Sequence, residues 1–131
     1  MSVKVKPGVL FGPEGGPPII APAGYLILDA LKAASRKLGQ DLTITSGTDG
    51  AHSGPDDPHH KGEAYDIRSH DFPAALRPAV VKAVMDQLGW KQFYGYIENP
   101  GAGDEHFHFQ RKKDTTFTTL DLLAFEPAVA A

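Results

Sequence analysis

Two short segments of this chain concentrate side chains that bind divalent metals: His59-His60-Lys61-Gly62-Glu63-Ala64-Tyr65-Asp66 and Glu105-His106-Phe107-His108-Phe109-Gln110. The sequence contains no cysteine. Thiolate zinc sites, iron–sulfur ligation, disulfides and a cysteine nucleophile are thereby excluded together, and imidazole and carboxylate are the ligands left. A catalytic zinc takes three protein ligands and keeps a fourth position for water. His59, Asp66 and His108 would supply that set. In the second segment a period of two puts His106, His108 and Gln110 on one face of a strand and Phe107 and Phe109 on the other, so that a site face backs onto a core face. Glu105 stands three residues before His108, at the turn into the strand, and could hang over the metal as general base for the bound water. His60 and His106 are the other imidazoles within reach of such a site. Either segment alone reads equally as a solvated His-His pair or as a strand with an ordinary polar face, but each supplies what the other lacks.

The elements that must position these residues follow from periodicity and punctuation. Residues 7–24 are rich in proline and glycine and read as irregular chain. From Tyr25 to Leu38 the positions Ile27, Leu28, Leu31, Ala34 and Leu38 recur at helical steps, and Gly39 stands at the expected C-cap. Asp41 to Ser46 alternates as a half-buried strand, and a long loop runs from Gly47 to Lys61. Glu63 to Arg68 reads as a second strand. Pro73 and Pro78 bracket the start of a helix whose stripe Val80, Val81, Val84, Met85 and Leu88 stops at Gly89. Trp90 to Glu98 and Glu105 to Arg111 read as third and fourth strands around a turn over 99–104, and Leu120 to Phe125 could add a helical turn. Two helices and about four strands make an α+β fold, with the helices against a small, mostly antiparallel sheet.

At 131 residues and 41% hydrophobic, the chain suffices for one domain with one core, and no stretch approaches the ~20 apolar residues that cross a bilayer. The net charge of -3 offers no sequence-wide basic field for nucleic acid or anionic lipid. Val3 to Leu10 is broken by Lys4, Lys6 and Pro7 and builds no signal-peptide core, which leads us to expect synthesis in the cytoplasm. Among the remaining polar residues, His52 and Asp56 read as loop residues that line the cleft or solvate it, His70 as surface, and Arg111 to Lys113 as a solvated basic cluster. Tyr94 and Tyr96 share a strand face and read as core or substrate contact.

In order, strand context and internal spacing, the motif residues resemble the zinc D-Ala-D-Ala carboxypeptidases and L-alanyl-D-glutamate endopeptidases of bacterial and phage origin, which share a fold with the hedgehog signalling domain. That family runs Ser-Gly-x-Arg, then His-x-x-Gly-x-Ala-x-Asp, then Glu-or-Asp-x-x-His. Here stand Ser46-Gly47 at a strand end, His59-x-x-Gly62-x-Ala64-x-Asp66, and Glu105-x-x-His108. The resemblance spans roughly residues 25–111. It implies that His59, Asp66 and His108 bind Zn2+, that Glu105 is the catalytic base, and that the substrate is a peptide bond of peptidoglycan. The protein would then act as a monomer on the cell wall after lysis or as a virion component. Three positions depart from the pattern: Asp49 replaces the Arg, Asp57 a Ser, and Phe107 the Trp before the last ligand. Losing one donor to a developing oxyanion is worth about 3–4 kcal/mol, so a zinc-binding module without turnover, binding cell wall or a protein partner, is the rival expectation. Arg68 or Lys61 could substitute for the missing cation, though sequence alone does not place either.

Overall fold

The computed structural model describes residues 1–13, 16, 18, 20–50 and 57–113. Five strands form one sheet: β1 Val3–Val5, β2 Leu42–Ser46, β3 Ala64–Arg68, β4 Phe93–Glu98 and β5 His106–Arg111. Their spatial order is β1-β2-β3-β5-β4, with β1 and β2 parallel and every other pair antiparallel. Two helices, α1 Pro22–Leu38 and α2 Arg77–Leu88, pack on each other and on one face of the sheet. The α+β class with two helices and a mostly antiparallel sheet is as expected from the sequence.

The helix face of the sheet is built from Leu42, Ile44, Tyr65, Ile67, Phe93, Phe107 and Phe109, every one at most 1% exposed. Against it lie Ile27, Leu31 and Ala34 of α1 and Val80, Val84 and Met85 of α2. The helical spacing of these residues explains their burial, because steps of three and four keep them on one side of each helix. Helix α1 starts at Pro22, three residues before the expected start at Tyr25 and inside the segment read as irregular chain. Pro22 sits in the first turn, where its missing N–H has no intrahelical partner to lose. It ends at Gly39, whose φ of 67° turns its N–H back to the carbonyls of Ser35 and Arg36.

Two further differences from the sequence reading have physical causes. Strand β1 lies in a segment with no alternation long enough to signal a strand; its partners are Leu42 to Ile44, far away in sequence. A single 3-10 turn, Ala74–Leu76, precedes α2, since Pro73 and Pro78 let the chain tighten before the helix proper. On β4, Gly95 is required by a close approach: a Cβ there would run into the Phe109 ring and the Met85 sulfur. The tail segment Leu120 to Phe125, and with it the expected helical turn, lies outside the described residues.

Among the described residues no helix packs on the opposite face of the sheet. Alternation puts Asp66 and Arg68 of β3, His106, His108 and Gln110 of β5, and Tyr94, Tyr96 and Glu98 of β4 on that open face.

Candidate metal centre

Antiparallel pairing brings Asp66 directly opposite His108, and His108 opposite Tyr96. His59 enters from the loop before β3. There Asp57 Oδ1 accepts the N–H of His59 at 2.9 Å, and the N–H groups of Gly62 and Glu63 bond back to the carbonyls of His59 and Pro58. Asp57 therefore keeps the acceptor that a serine would offer, and it shapes the turn that delivers the imidazole. His59 and His108 are buried, at 5% and 6% exposure, at the floor of a cleft of about 280 Å³ that Asp66, Tyr94, Tyr96, Glu98 and His106 also line.

Three donor atoms converge on that floor. Asp66 Oδ1 lies 2.9 Å from His108 Nδ1 and 3.2 Å from His59 Nε2, and the two nitrogens are 3.4 Å apart. The outer ring nitrogens are fixed. His59 Nδ1 lies 3.1 Å from the Gly47 carbonyl, and His108 Nε2 lies 2.7 Å from Gln110 Oε1, whose amide is oriented by donation to the Arg111 carbonyl. Both partners can only accept, so Nδ1 of His59 and Nε2 of His108 donate and the lone pairs of the inward nitrogens point at one another and at Asp66. Three acceptors aimed at one point require a cation between them, either a proton or a metal.

The electrostatics agree. Burial pushes the Asp66 carboxyl up, but the hydrogen bonds with His108 and His59 and the charges of His59 and His106 outweigh it and hold the group well below the usual carboxylate range. Burial pulls His108 down, yet its bonds to Asp66 and Gln110 leave it raised. In the absence of metal, a proton on the Asp66–His108 pair takes the cation's place.

A second acid–imidazole pair flanks the three. His106 Nδ1 lies 2.8 Å from the Asp104 carbonyl, and its Nε2 lies 3.0 Å from Glu98 Oε2 and 3.4 Å from Asp66 Oδ1. Donor atoms of Asp66, Glu98, His106 and His108 all fall within 4.8 Å of one another, a group that could hold a metal ion. Glu98 is the most exposed of the four, with 37% of its side chain accessible, and the rings of Tyr94 and Tyr96 on the same strand stack with centroids 5.9 Å apart. The two tyrosines wall the cleft and do not belong to the core.

Glu105 is not brought into this cluster. It shares the parity of Phe107 and Phe109, and its carboxylate is buried toward the start of α2. Oε2 accepts from Ser69 Oγ at 2.6 Å and from Arg77 Nη1 at 2.7 Å, and Oε1 accepts from the Gly101 N–H at 3.2 Å. Sequence spacing suggested a base over the metal; three donors on the helix side of the sheet turn the carboxylate away from the cleft. The Ser69 hydroxyl first, then Gly101 N–H and the Arg77 charge, hold its carboxyl below the ordinary value against the effect of burial. A group with a depressed folded pKa stabilises the fold above the unfolded value of about 4.3 and loses that contribution as pH falls through the folded one. Glu105→Gln is therefore expected to lower the melting temperature at pH 7. The gap to the wild type should close as the pH is brought from about 5 down toward 3; melts that stay parallel across that window would contradict the assignment.

The remaining candidates fall as follows. His60 is exposed and faces a separate hollow with Asp49 and Lys61, and His70 is exposed. His52 and Asp56 lie outside the described residues. Arg111 pairs with Glu63 at 2.7 Å, and the Lys112 ammonium meets the Trp90 carbonyl. Asp49 has a positioning task. Its Oδ1 accepts from the N–H groups of Gly47 at 2.8 Å and Leu10 at 3.0 Å, which holds the Gly47 carbonyl that orients His59. Gly47 itself has no room for a Cβ, because the Leu10 carbonyl occupies that space. Glu98 was overlooked in the sequence although alternation along β4 placed it with Tyr94 and Tyr96. Gln110 was on the site face but had no evident task until His108 showed its outer nitrogen.

No family model, no curated protein and no solved structure matches the chain.

Proposed function

We propose that this chain is a zinc-dependent hydrolase of peptide bonds, with His59, Asp66 and His108 as metal ligands and peptidoglycan stem peptides as the substrate class suggested by its motifs. One observation carries the reading. The triangle of 2.9, 3.2 and 3.4 Å between the donor atoms approaches the edges of a tetrahedron with ~2.1 Å bonds, about 3.4 Å, and leaves one vertex toward the cleft. Two imidazoles and a carboxylate, each imidazole backed by an oxygen on its outer nitrogen, are also the ligand chemistry of catalytic zinc.

Zinc held there would supply a water with pKa near ~7 and a Lewis acid for the scissile carbonyl. The chain's own groups would do the rest. Asp66, His59 and His108 hold the ion, and Gly47 and Gln110 keep the two rings in the ligating tautomer. With Glu105 engaged elsewhere, the proton acceptor is assigned to Glu98, whose Oε2 lies 3.6 Å from His108 Nδ1 and 3.0 Å from His106 Nε2. Glu98 would take the proton of the water and return it to the leaving amine, with His106 orienting its carboxylate. Tyr94 and Tyr96 would flank the peptide. Release at lysis or carriage in a virion would bring such an activity to the cell wall.

A second reading, a zinc site without turnover, draws on two observations: Glu105 is tied to Ser69 and Arg77, and Asp49 stands where the resembling family has an arginine. Zinc-loaded protein incubated with purified peptidoglycan separates the two. We expect free amines to appear, to stop on chelation and to resume on adding zinc. Stoichiometric bound zinc with no amine release would leave only the second reading.

A further inference from the structure

The donor atoms of the open sheet face fall into two groups that share Asp66. His59 and His108 meet it on the floor of the cleft. On its other side stands His106, directly opposite Glu98 in the β4–β5 pairing. The Nδ1 of His106 lies 2.8 Å from the Asp104 carbonyl, which can only accept, so Nδ1 carries the proton and Nε2 presents a lone pair. That lone pair faces two carboxylate oxygens, Glu98 Oε2 at 3.0 Å and Asp66 Oδ1 at 3.4 Å. As on the floor, three acceptors aimed at one point require a cation between them, a proton or a metal.

An imidazole held in its ligating tautomer by a carbonyl oxygen, together with two carboxylates, is a ligand set for a zinc-like ion. Arg68 is opposite His106 on β3 but lines a separate hollow with Lys4, Asp41 and Asp71. Two-metal sites hold their ions about 3.5–4 Å apart, a separation that a carboxylate shared by both groups can span. The outer group would hold its ion the less tightly. Each zinc carries two positive charges, and the two groups together offer only the carboxylates of Asp66 and Glu98. A second ion therefore enters a region that is already positive, and Lys113, which also lines the cleft, adds to that charge.

We propose that Glu98, His106 and Asp66 form a second, weaker zinc site, and that filling it switches the reaction off by taking the Glu98 carboxylate as a ligand. The proposal rests on the His59–Asp66–His108 triad holding the first ion and on Glu98 accepting the proton of the water. One equivalent of zinc saturates the floor and leaves Glu98 to that task. Further zinc claims Oε2, the same atom that contacts His106 and faces His108 at 3.6 Å. The metal that supports the reaction at low concentration thus stops it at a higher one.

The test counts ions. The full chain, stripped of metal, is dialysed against zinc at rising free concentrations set by chelator buffers, and bound zinc is measured by atomic emission while circular dichroism follows the fold. The wild type should take up one ion per chain and then, in a separate step at higher free zinc, a second. His106→Ala and Glu98→Gln should each lose the second step and keep the first, and Asp66→Ala should weaken both. With peptidoglycan present, amine release should rise through the first step and fall through the second, and the slower release by His106→Ala should rise without the fall. A wild type that saturates at one ion per chain, or a second step kept at wild-type affinity in either His106→Ala or Glu98→Gln, overturns the site. Release undiminished with both ions bound overturns the switch. If His59→Ala leaves the first step unchanged, the triad reading fails, while a second step lost in His106→Ala still upholds the outer site. Because ions are counted without turnover, absent hydrolysis counts against the proposed reaction alone.

Discussion

Replacing His108 with alanine is expected to lower zinc affinity by well over 100-fold, with His59→Ala and Asp66→Ala close behind. These three side chains supply the converging donors, separated by 2.9 to 3.4 Å, so removing any one leaves two ligands and an open side. The graded controls carry most of the force. Gln110→Leu removes only the acceptor that holds His108 Nε2–H, 2.7 Å away, and should weaken zinc by about 10–100-fold, the usual cost of losing an outer partner. Glu105→Gln should leave zinc affinity where it was, because its carboxylate faces Ser69 and Arg77. Titration against a competing chelator, with folding monitored by circular dichroism, gives all five values. If Glu105→Gln costs as much zinc as His108→Ala, or if His59→Ala costs none, the ligand assignment is wrong.

The convergence of His59, Asp66 and His108 was legible in the sequence because two kinds of local information sufficed. His59, Gly62 and Asp66 are fixed by one turn and the strand it leads into, and the alternation from His106 to Gln110 assigned His108 to a polar face. The strand pairing that sets Asp66 opposite His108 is not local, yet complementary ligand types on the two segments were enough to suggest it. Glu105 was misplaced for the converse reason. Its distance from His108 along the chain was right, but the donors that decide its direction, Ser69, Arg77 and Gly101, belong to other elements, and only the fold assembles them. β1 was missed for the same cause, since a three-residue edge strand owes its existence to its partner. The helices α1 and α2 were the most readable parts, because an apolar stripe, a proline near the start and a glycine at the end state a helix within its own sequence.

Glu98→Gln is expected to cut the hydrolysis rate by about 100- to 10,000-fold, the span that a positioned proton carrier contributes, while zinc stays bound. Among the described residues that line the cleft, the carboxylates are Asp57, Asp66 and Glu98. Asp66 is committed to His59 and His108, and Asp57 Oδ1 is committed to the His59 N–H. Glu98 combines exposure to the cleft with contact to both imidazoles of β5, so it can meet a water at the fourth vertex and afterwards a leaving amine. His106 acts on that group through the 3.0 Å contact of its Nε2. His106→Ala should therefore slow the reaction too, and the double variant should lose little more than Glu98→Gln alone, since members of one unit are strongly non-additive. Independent roles would instead multiply the two losses. Single-turnover rates on zinc-saturated protein measure both effects. Wild-type turnover in Glu98→Gln would return the proton to another acceptor. A Glu105→Gln variant that keeps its zinc and its fold but loses turnover would name that acceptor, and would mean that Glu105 leaves Ser69 and Arg77 when substrate arrives.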